Sequence, residues 1–313
     1  MMSSIIKIAP IFKEKMWGGT RLKEMYGFDI PSDKTGELWA VAAHPDGDCI
    51  VASGEFDGQP LSKVYKDNKS LFGDCEHDEF PLLVKIIDAN KDLSIQVHPD
   101  DVMAKSLGLP HGKAEAWLIL DGDEKSELIV GHTCKTRDEL EQALNNPTHF
   151  SWLQRFHVRP NQFYYLPGGT VHAVGANTMV YEIEQNSNIA FRIYDYERFV
   201  GEQKRDLHLK KALEAIKVPD LKREAIPQRI ITNTMKHTFH LRSEHFVVQK
   251  FEIDEDTILE QDQMFVVLGF LTKGSVNGIQ ANAGDHFIAL NSCEKLHLTA
   301  GTTVIATYIP RKC

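Results

Sequence analysis

Polar and apolar residues alternate over short stretches along most of the chain, and turn-forming residues such as glycine, proline and aspartate separate the stretches. Residues 36–42 and 93–98 alternate with a period of two, which is typical of a β-strand. Residues 80–88 form a continuous apolar run that only Lys85 interrupts before the terminal aspartate. The pattern therefore predicts a mostly β protein.

Short strands recur at close intervals in the C-terminal third, with glycines between them. A polar stretch between Pro219 and Pro227 precedes them and is interpreted as a linker. The spacing favours an antiparallel sandwich or barrel of the jelly-roll kind. The predicted strands cover residues 239–241, 246–251, 265–271, 284–290, 295–298 and 303–308.

Three helical insertions interrupt the strands, at about residues 100–108, 136–146 and 206–217. Asp100 or Asp101 is expected to cap the first helix. Thr136 and Glu139 form a capping-box pattern at the second, and Asp206 is the expected cap of the third.

Candidate chemistry begins in the predicted strand over residues 93–98. Gln96 and His98 are two positions apart, so their side chains project to the same face. The chain then turns back into a second alternating strand that starts near Glu115. Two returning strands can bring an imidazole, a carboxylate and an amide oxygen together, which is a mixed ligand set for a divalent metal.

A third strand, over residues 163–166, runs into a Pro-Gly-Gly turn and then His172. Taken singly, His98 is better explained as a strand-end histidine bonded to Asp100 or Asp101, and Glu115 as a surface charge on an edge strand. A metal site is nevertheless favoured, because His98 and Glu115 occur together with His172 and because the spacings from Glu115 to Gly122 and from Pro167 to His172 match known motifs.

These spacings resemble the two cupin motifs: Glu115 is followed by six residues and Gly122, and Pro-x-Gly-x-x-His spans residues 167–172. The usual His-x-His is replaced by Gln96-x-His98, and a helical segment lengthens the distance to the glutamate. Further matches lie at residues 17–19, 81–85, 112–115 and 181–195. Together they resemble type I mannose-6-phosphate isomerase in its short bacterial form.

The resemblance implies two cupin-type jelly-roll barrels plus a small helical segment. Residues 1–235 would form the metal-binding catalytic domain, and residues 236–313 a cupin-like domain without a metal site. In the latter, His286 and His297 lack a carboxylate at matching spacing.

The resemblance also implies one Zn²⁺ per chain, held by Gln96, His98, Glu115 and His172, although the same ligands accept iron(II), manganese or cobalt. The expected reaction interconverts mannose 6-phosphate and fructose 6-phosphate through a cis-enediol that the metal stabilises.

Arg192 and Lys113 are the candidate catalytic cations, and either could neutralise the phosphate or the enediolate. Arg192 is expected to share a strand face with Tyr194 and Tyr196. An ion pair of Arg192 with a neighbouring acidic residue is the alternative.

Three further residues are assigned to substrate binding. Trp17 lies beside two glycines, where it either lines the sugar site or packs in the core, and Lys85 either faces the site or extends to the edge of its strand. Glu182 and Glu184 share a face and are the nearest carboxylate bases, but the family usually carries Gln at the second position. Catalysis is therefore not assigned to Glu184.

The net charge of −9 argues against a nucleic-acid surface, because phosphate contacts need clustered lysine and arginine. Five dispersed cysteines without a C-x-x-C indicate reduced thiols. No apolar run reaches the length of a membrane span, and a signal-peptide pattern is absent. We expect a cytoplasmic monomer or weak homodimer whose partner is a small phosphorylated sugar.

Two other function classes remain open from the sequence. A cupin with two histidines and one carboxylate is also consistent with an iron(II) oxygenase, although a fourth ligand at Gln96 leaves less room for dioxygen and a chelating substrate. The other is a non-catalytic sugar-binding cupin, which the retained ligands and cations disfavour.

Overall fold

The computed structural model describes residues 4–146, 150–221 and 227–311. Up to residue 89 its strands are β1 (Ile5–Ala9), β2 (Ile11–Gly19), β3 (Thr35–Val41), β4 (Ala43–His44), β5 (Gly47–Asp48), β6 (Ile50–Val51) and β7 (Leu82–Ala89). From residue 95 to 204 they are β8 (Ile95–Val97), β9 (Glu115–Gly122), β10 (Glu127–His132), β11 (Leu153–His157), β12 (Phe163–Leu166), β13 (His172–Val174), β14 (Thr178–Gln185), β15 (Phe191–Tyr194), β16 (Phe199–Val200) and β17 (Gln203–Lys204).

The remaining strands are β18 (Gln228–Ile231), β19 (Met235–Arg242), β20 (Val247–Ile253), β21 (Thr257–Glu260), β22 (Val266–Phe270), β23 (Gly274–Val276), β24 (Ile279–Ala281), β25 (His286–Ala289), β26 (Lys295–Leu298) and β27 (Thr303–Tyr308). The α-helices of the described residues are α1 (Arg21–Tyr26), α2 (Leu61–Asp67), α3 (Asp101–Ser106), α4 (Arg137–Leu144) and α5 (Leu209–Ala215), with 3₁₀ turns at Gly54–Phe56 and Lys69–Phe72. The mostly β fold with helical insertions is confirmed. None of these helices is long and apolar enough to cross a membrane.

Four sheets stack face to face, and the two inner sheets contribute alternate residues to the layers on either side. The five-stranded sheet, in the order β11-β10-β13-β8-β15, packs on the six-stranded sheet β12-β9-β14-β7-β3-β2. The other face of the six-stranded sheet packs on the eight-stranded sheet β18-β19-β20-β27-β22-β25-β1-β6. The four-stranded sheet β21-β26-β23-β24 packs on the opposite face of the eight-stranded sheet. The five- and six-stranded sheets thus form the first sandwich, and the eight- and four-stranded sheets form the second. Helices α4 and α5 cover the outside of the first sandwich. This is the two-sandwich arrangement of a double cupin.

The predicted domain division between residues 235 and 236 stays a prediction. Strands β1, β6 and β18 all precede residue 236, yet they hydrogen-bond within the eight-stranded sheet. Alternation along a strand shows that it has a buried face, but it does not show which sheet the strand enters. The predicted linker lies partly outside the described residues.

Two of the predicted helix caps are present. Asp100 accepts a hydrogen bond from the Met103 amide at 2.9 Å, and Thr136 accepts one from the Glu139 amide at 3.2 Å. The predicted Asp206 cap is wrong, because α5 begins later, with His208 at its N-cap position and no side-chain cap. The four cysteines among the described residues are buried and form no disulfide bond, while Cys313 lies outside the described residues.

Candidate active site and metal centre

One face of the six-stranded sheet carries a row of polar and aromatic side chains across four neighbouring strands. In register, Trp39 lies beside Lys85, Lys85 beside Glu182, and Glu182 beside Trp117. The neighbouring positions along each strand are apolar and pack on the eight-stranded sheet. Because side chains alternate between the two faces, the row points toward the five-stranded sheet, inside the first sandwich.

The loop after α3 places the start of β9 by three backbone contacts. The Gly112 amide donates to Asp101 Oδ1 at 2.7 Å, the Lys113 amide to the Pro99 carbonyl at 2.9 Å, and the Ala114 amide to Gln185 Oε1 at 2.9 Å. A side chain at residue 112 would collide with the backbone of α3, since an added Cβ would lie 2.6 Å from it. Lys113 and Glu115 therefore enter the sandwich from a fixed loop.

Three of the four predicted metal ligands converge on one point. His98 Nε2 lies 3.0 Å from Glu115 Oε1 and 3.0 Å from His172 Nε2, and His172 Nε2 lies 3.5 Å from Glu115 Oε2. All three side chains are buried. Ligand atoms about 2.0–2.1 Å from a tetrahedral zinc are themselves separated by roughly 3.3 Å. The observed spacing fits a divalent metal between these atoms.

The protonation of these ligands also suits a metal. His172 Nδ1 lies 2.9 Å from the Thr170 carbonyl, so Nδ1 carries the proton and Nε2 presents its lone pair. Burial, and then the Lys113 ammonium, lowers the pKa of His98 to about 3, which keeps that imidazole neutral. Burial opposes ionisation of Glu115, but the Lys113 ammonium outweighs it and holds the pKa of Glu115 well below the usual range. The candidate ligand set is therefore two neutral imidazoles and a carboxylate.

Gln96, the fourth predicted ligand, lies on β8 between His172 and Arg192 of the adjacent strands. It lines the same cavity as Glu115 and His172. Its assignment as a ligand stays a prediction.

Two buried lysines connect the metal ligands to the polar row. Lys113 Nζ lies 2.7 Å from Glu115 Oε1 and 2.9 Å from Glu184 Oε2. Lys85 Nζ lies 2.5 Å from Glu184 Oε1 and 3.4 Å from Glu182 Oε2. Burial disfavours both ammonium charges, but the carboxylates outweigh it and raise the pKa of each lysine. Both lysines are therefore charged.

A cavity of about 260 Å³ joins the site residues. Its walls include eight of the nine predicted site residues: Trp17, Lys85, Gln96, Lys113, Glu115, His172, Glu182 and Arg192. The ninth, His98, contacts Glu115 and His172 but is not part of the wall.

Among the carboxylates that line the cavity, Glu182 differs in having a raised pKa. Burial, and then the charge of Glu115, raises the pKa of Glu182. Its Oε1 accepts a hydrogen bond from Trp117 Nε1 at 2.8 Å, which fixes the carboxyl group in the wall. A raised pKa brings a carboxylate nearer to the range in which proton transfer is efficient.

Arg192 lies on β15, where its Nε donates to the Asp206 carbonyl at 2.9 Å. Among the described residues it makes no ion pair, so the alternative of a pair with a neighbouring acidic residue is not observed. Asp195 instead binds Arg198 and Arg205. The expected common face with the tyrosines is wrong: the pairing shifts between Arg192 and Tyr194, and Tyr196 lies beyond the strand with φ +54°.

Sequence reasoning missed three charged residues of the cavity wall. Lys15 lies 3.1 Å from Glu37, and Glu37 also accepts a hydrogen bond from Trp39 Nε1 at 2.7 Å. Arg205 Nη1 lies 2.9 Å from Asp195. For Glu37 a signal was present, because it shares a face with Trp39 in the alternating run over residues 36–42.

In the second sandwich, His286 is buried and already satisfied. Its Nδ1 lies 2.9 Å from the Gly284 carbonyl, and its Nε2 accepts from the Tyr181 hydroxyl at 3.0 Å. His297 is exposed. Within the described residues, neither belongs to a cluster of three potential metal ligands.

Two histidines and a glutamate held around one point inside a β-sandwich define a metal-binding cupin. The phosphomannose isomerase type I catalytic domain matches residues 5–134. A probable mannose-6-phosphate isomerase of Bacillus subtilis is 41% identical over 92% of this chain and 93% of its own length. The mannose-6-phosphate isomerase of Streptococcus mutans is 34% identical over 94% and 95%. The solved structure of the Bacillus subtilis mannose 6-phosphate isomerase covers 98% of this chain and 100% of its own at 35% identity, with a TM-score of 0.94. The chain belongs to the type I phosphomannose isomerase family.

Proposed function

We propose that this protein interconverts mannose 6-phosphate and fructose 6-phosphate by moving a proton between C2 and C1 of the open-chain sugar. The observation that carries the proposal is the cavity, which joins a buried metal-ligand set to an arginine without a carboxylate partner among the described residues. A phosphorylated sugar has matching ends, since its C1 and C2 oxygens suit the metal side and its phosphate suits a guanidinium.

The resident metal is proposed to be one Zn²⁺ per chain, held by His98, Glu115 and His172 with Gln96 as the fourth ligand. The mixed nitrogen and oxygen donors support this assignment. When bound, such a metal polarises the carbonyl and hydroxyl oxygens of the sugar and so favours loss of the neighbouring proton.

Glu182 is proposed to carry the proton. Its carboxylate would take the proton from C2, leaving a cis-enediolate, and return it to C1 while a second proton passes from the C2 hydroxyl to the C1 oxygen, so that Glu182 ends the cycle unchanged. Its position in the cavity wall and its raised pKa support this role. Lys113, fixed beside Glu115, would donate hydrogen bonds to the oxygen on which negative charge develops.

Arg192 is proposed to bind the phosphate. Lys113 and Lys85 already have carboxylate partners, whereas the Arg192 guanidinium lines the cavity with, among the described residues, a single backbone carbonyl as its partner. Burial and the nearby Arg205 charge lower the pKa of Arg192, and an anion placed between the two arginines would relieve this repulsion. Trp17 and Lys85 would complete the wall around the sugar.

The test is formation of fructose 6-phosphate from mannose 6-phosphate by the purified, zinc-replete protein, measured with a coupling enzyme while dissolved oxygen is recorded. We expect turnover without oxygen uptake. Oxygen consumption that depends on iron(II), with no fructose 6-phosphate formed, would instead identify an oxygenase. Sugar binding without turnover would identify a binding protein.

A further inference from the structure

Glu184 is completely buried and does not line the cavity. It lies on β14 beside Glu115 of β9, behind the wall that the substrate would touch. A side chain in this position has no direct contact with the sugar. Any effect of Glu184 on the reaction must pass through its neighbours.

Those neighbours are the ammonium groups of the two cavity lysines. One carboxylate oxygen of Glu184 lies 2.5 Å from Lys85 Nζ, and the other lies 2.9 Å from Lys113 Nζ. Both lysines line the cavity. Lysine has a flexible four-carbon stem, so a fixed carboxylate with two oxygens can hold two ammonium groups at a set separation.

We propose that Glu184 is a positioning residue that fixes Lys85 and Lys113 relative to the reacting carbons of the sugar. This inference rests on the proposed isomerase function. Errors of about 1 Å in the placement of catalytic groups can cost ~100-fold in rate. The pairing of Glu184 with both lysines is called the clamp below. Its loss lowers the rate of the chemical step more than it weakens substrate binding, since the phosphate contact at Arg192 does not involve Glu184.

Glu184→Gln removes the clamp while keeping the shape of the side chain. A glutamine is uncharged and turns a donor NH₂ group toward one of the two ammonium groups, so it cannot form an ion pair with either lysine. Each lysine retains another carboxylate, Glu182 for Lys85 at 3.4 Å and Glu115 for Lys113 at 2.7 Å, so neither charge is left unpaired. We expect the variant to fold and to retain its metal.

The experiment measures kcat, KM and metal content for Glu184→Gln, with Asp88→Asn as the matched control. Asp88 is an equally buried carboxylate on β7 that binds Arg21 at 2.8 Å and contacts neither lysine. We expect kcat to fall about 30-fold in Glu184→Gln, with KM changed less than threefold and metal content unchanged. Asp88→Asn should keep its kcat. Unchanged kcat in a folded, metal-loaded Glu184→Gln protein would overturn the proposal.

A double-mutant cycle tests whether Glu184 acts through the lysines. In a Lys113→Met background the further loss caused by Glu184→Gln should shrink at least fivefold, because one of the two groups that it positions is gone. An undiminished loss would assign Glu184 a role independent of Lys113 and contradict the proposal.

The crystal structure of Glu184→Gln gives a readout that does not depend on turnover. At least one lysine Nζ should move by about 1 Å or more from its wild-type position. If both ammonium groups stay in place, the clamp is refuted even in an active enzyme. If they move but the wild type does not isomerise mannose 6-phosphate, the proposed function has failed while the clamp stands.

Discussion

Replacement of Arg192 by alanine separates recognition of the phosphate from the integrity of the site. The Arg192 side chain is half-buried and, within the part of the chain that the structure describes, donates one hydrogen bond, from Nε to the Asp206 carbonyl. Its backbone is held separately, because the Arg192 amide donates to His208 Nδ1 and its carbonyl accepts from the His208 amide. We expect Arg192→Ala to lose only about 1 kcal/mol of stability and to retain its metal.

The kinetic loss should be much larger than the loss of stability. We expect Arg192→Ala to lower kcat/KM by ~100-fold, because the variant loses the charge-assisted hydrogen bonds from the guanidinium to the phosphate. This loss corresponds to about 2.7 kcal/mol of transition-state stabilisation. The assay is coupled formation of fructose 6-phosphate at several substrate concentrations. Turnover of free mannose, which has no phosphate, should change little in the same variant.

Arg198→Ala is the matched control, because Arg198 lies 3.5 Å from Asp195 and is not part of the cavity wall. It should keep a nearly normal kcat/KM. A folded, metal-loaded Arg192→Ala protein with near-normal kcat and KM on mannose 6-phosphate would refute the assignment. Lys113 would then be the principal cation.

Three further outcomes are expected. His98→Ala or His172→Ala should abolish metal binding in elemental analysis, whereas the double change His286→Gln and His297→Gln should not; loss of one equivalent from the double variant would contradict the assignment. The wild type should convert mannose 6-phosphate far faster than free mannose. Equal kcat/KM for the two sugars would contradict the proposal that Arg192 binds the phosphate. Burial lowers the pKa of His286 from 6.5 to about 4, so as the pH falls His286 is protonated in the unfolded chain before it is protonated in the folded protein. Stability is therefore retained above pH 6.5 and lost toward pH 4, by up to about 3 kcal/mol, and chemical denaturation should show a shallower pH dependence in His286→Gln.

The candidate metal ligands could be identified from the sequence because each lies in a short local pattern. Gln96 and His98 share a strand face, and Glu115 and His172 begin strands that follow recognisable turns. Alternation within single segments carries this information. The same holds for the helix caps at Asp100 and Thr136, which depend on residues only three positions apart.

The missed residues depend on contacts between distant segments. Lys15, Glu37 and Arg205 reach the cavity through pairings that the sequence does not display, such as β3 beside β7. Glu184 was correctly placed on the same face as Glu182, but its two lysine partners lie on other strands. Strand register brings these groups together, and register is fixed by the packed sheets rather than by local alternation.

The most direct measurement of the central claim is isomerase activity during removal and return of the metal. Exhaustive chelation of the purified protein should abolish formation of fructose 6-phosphate from mannose 6-phosphate. Addition of Zn²⁺ should restore the activity in proportion, with the break in the titration at one equivalent per chain. Full turnover in a chelated protein with no metal detectable by elemental analysis would contradict a metal-dependent isomerase at His98, Glu115 and His172.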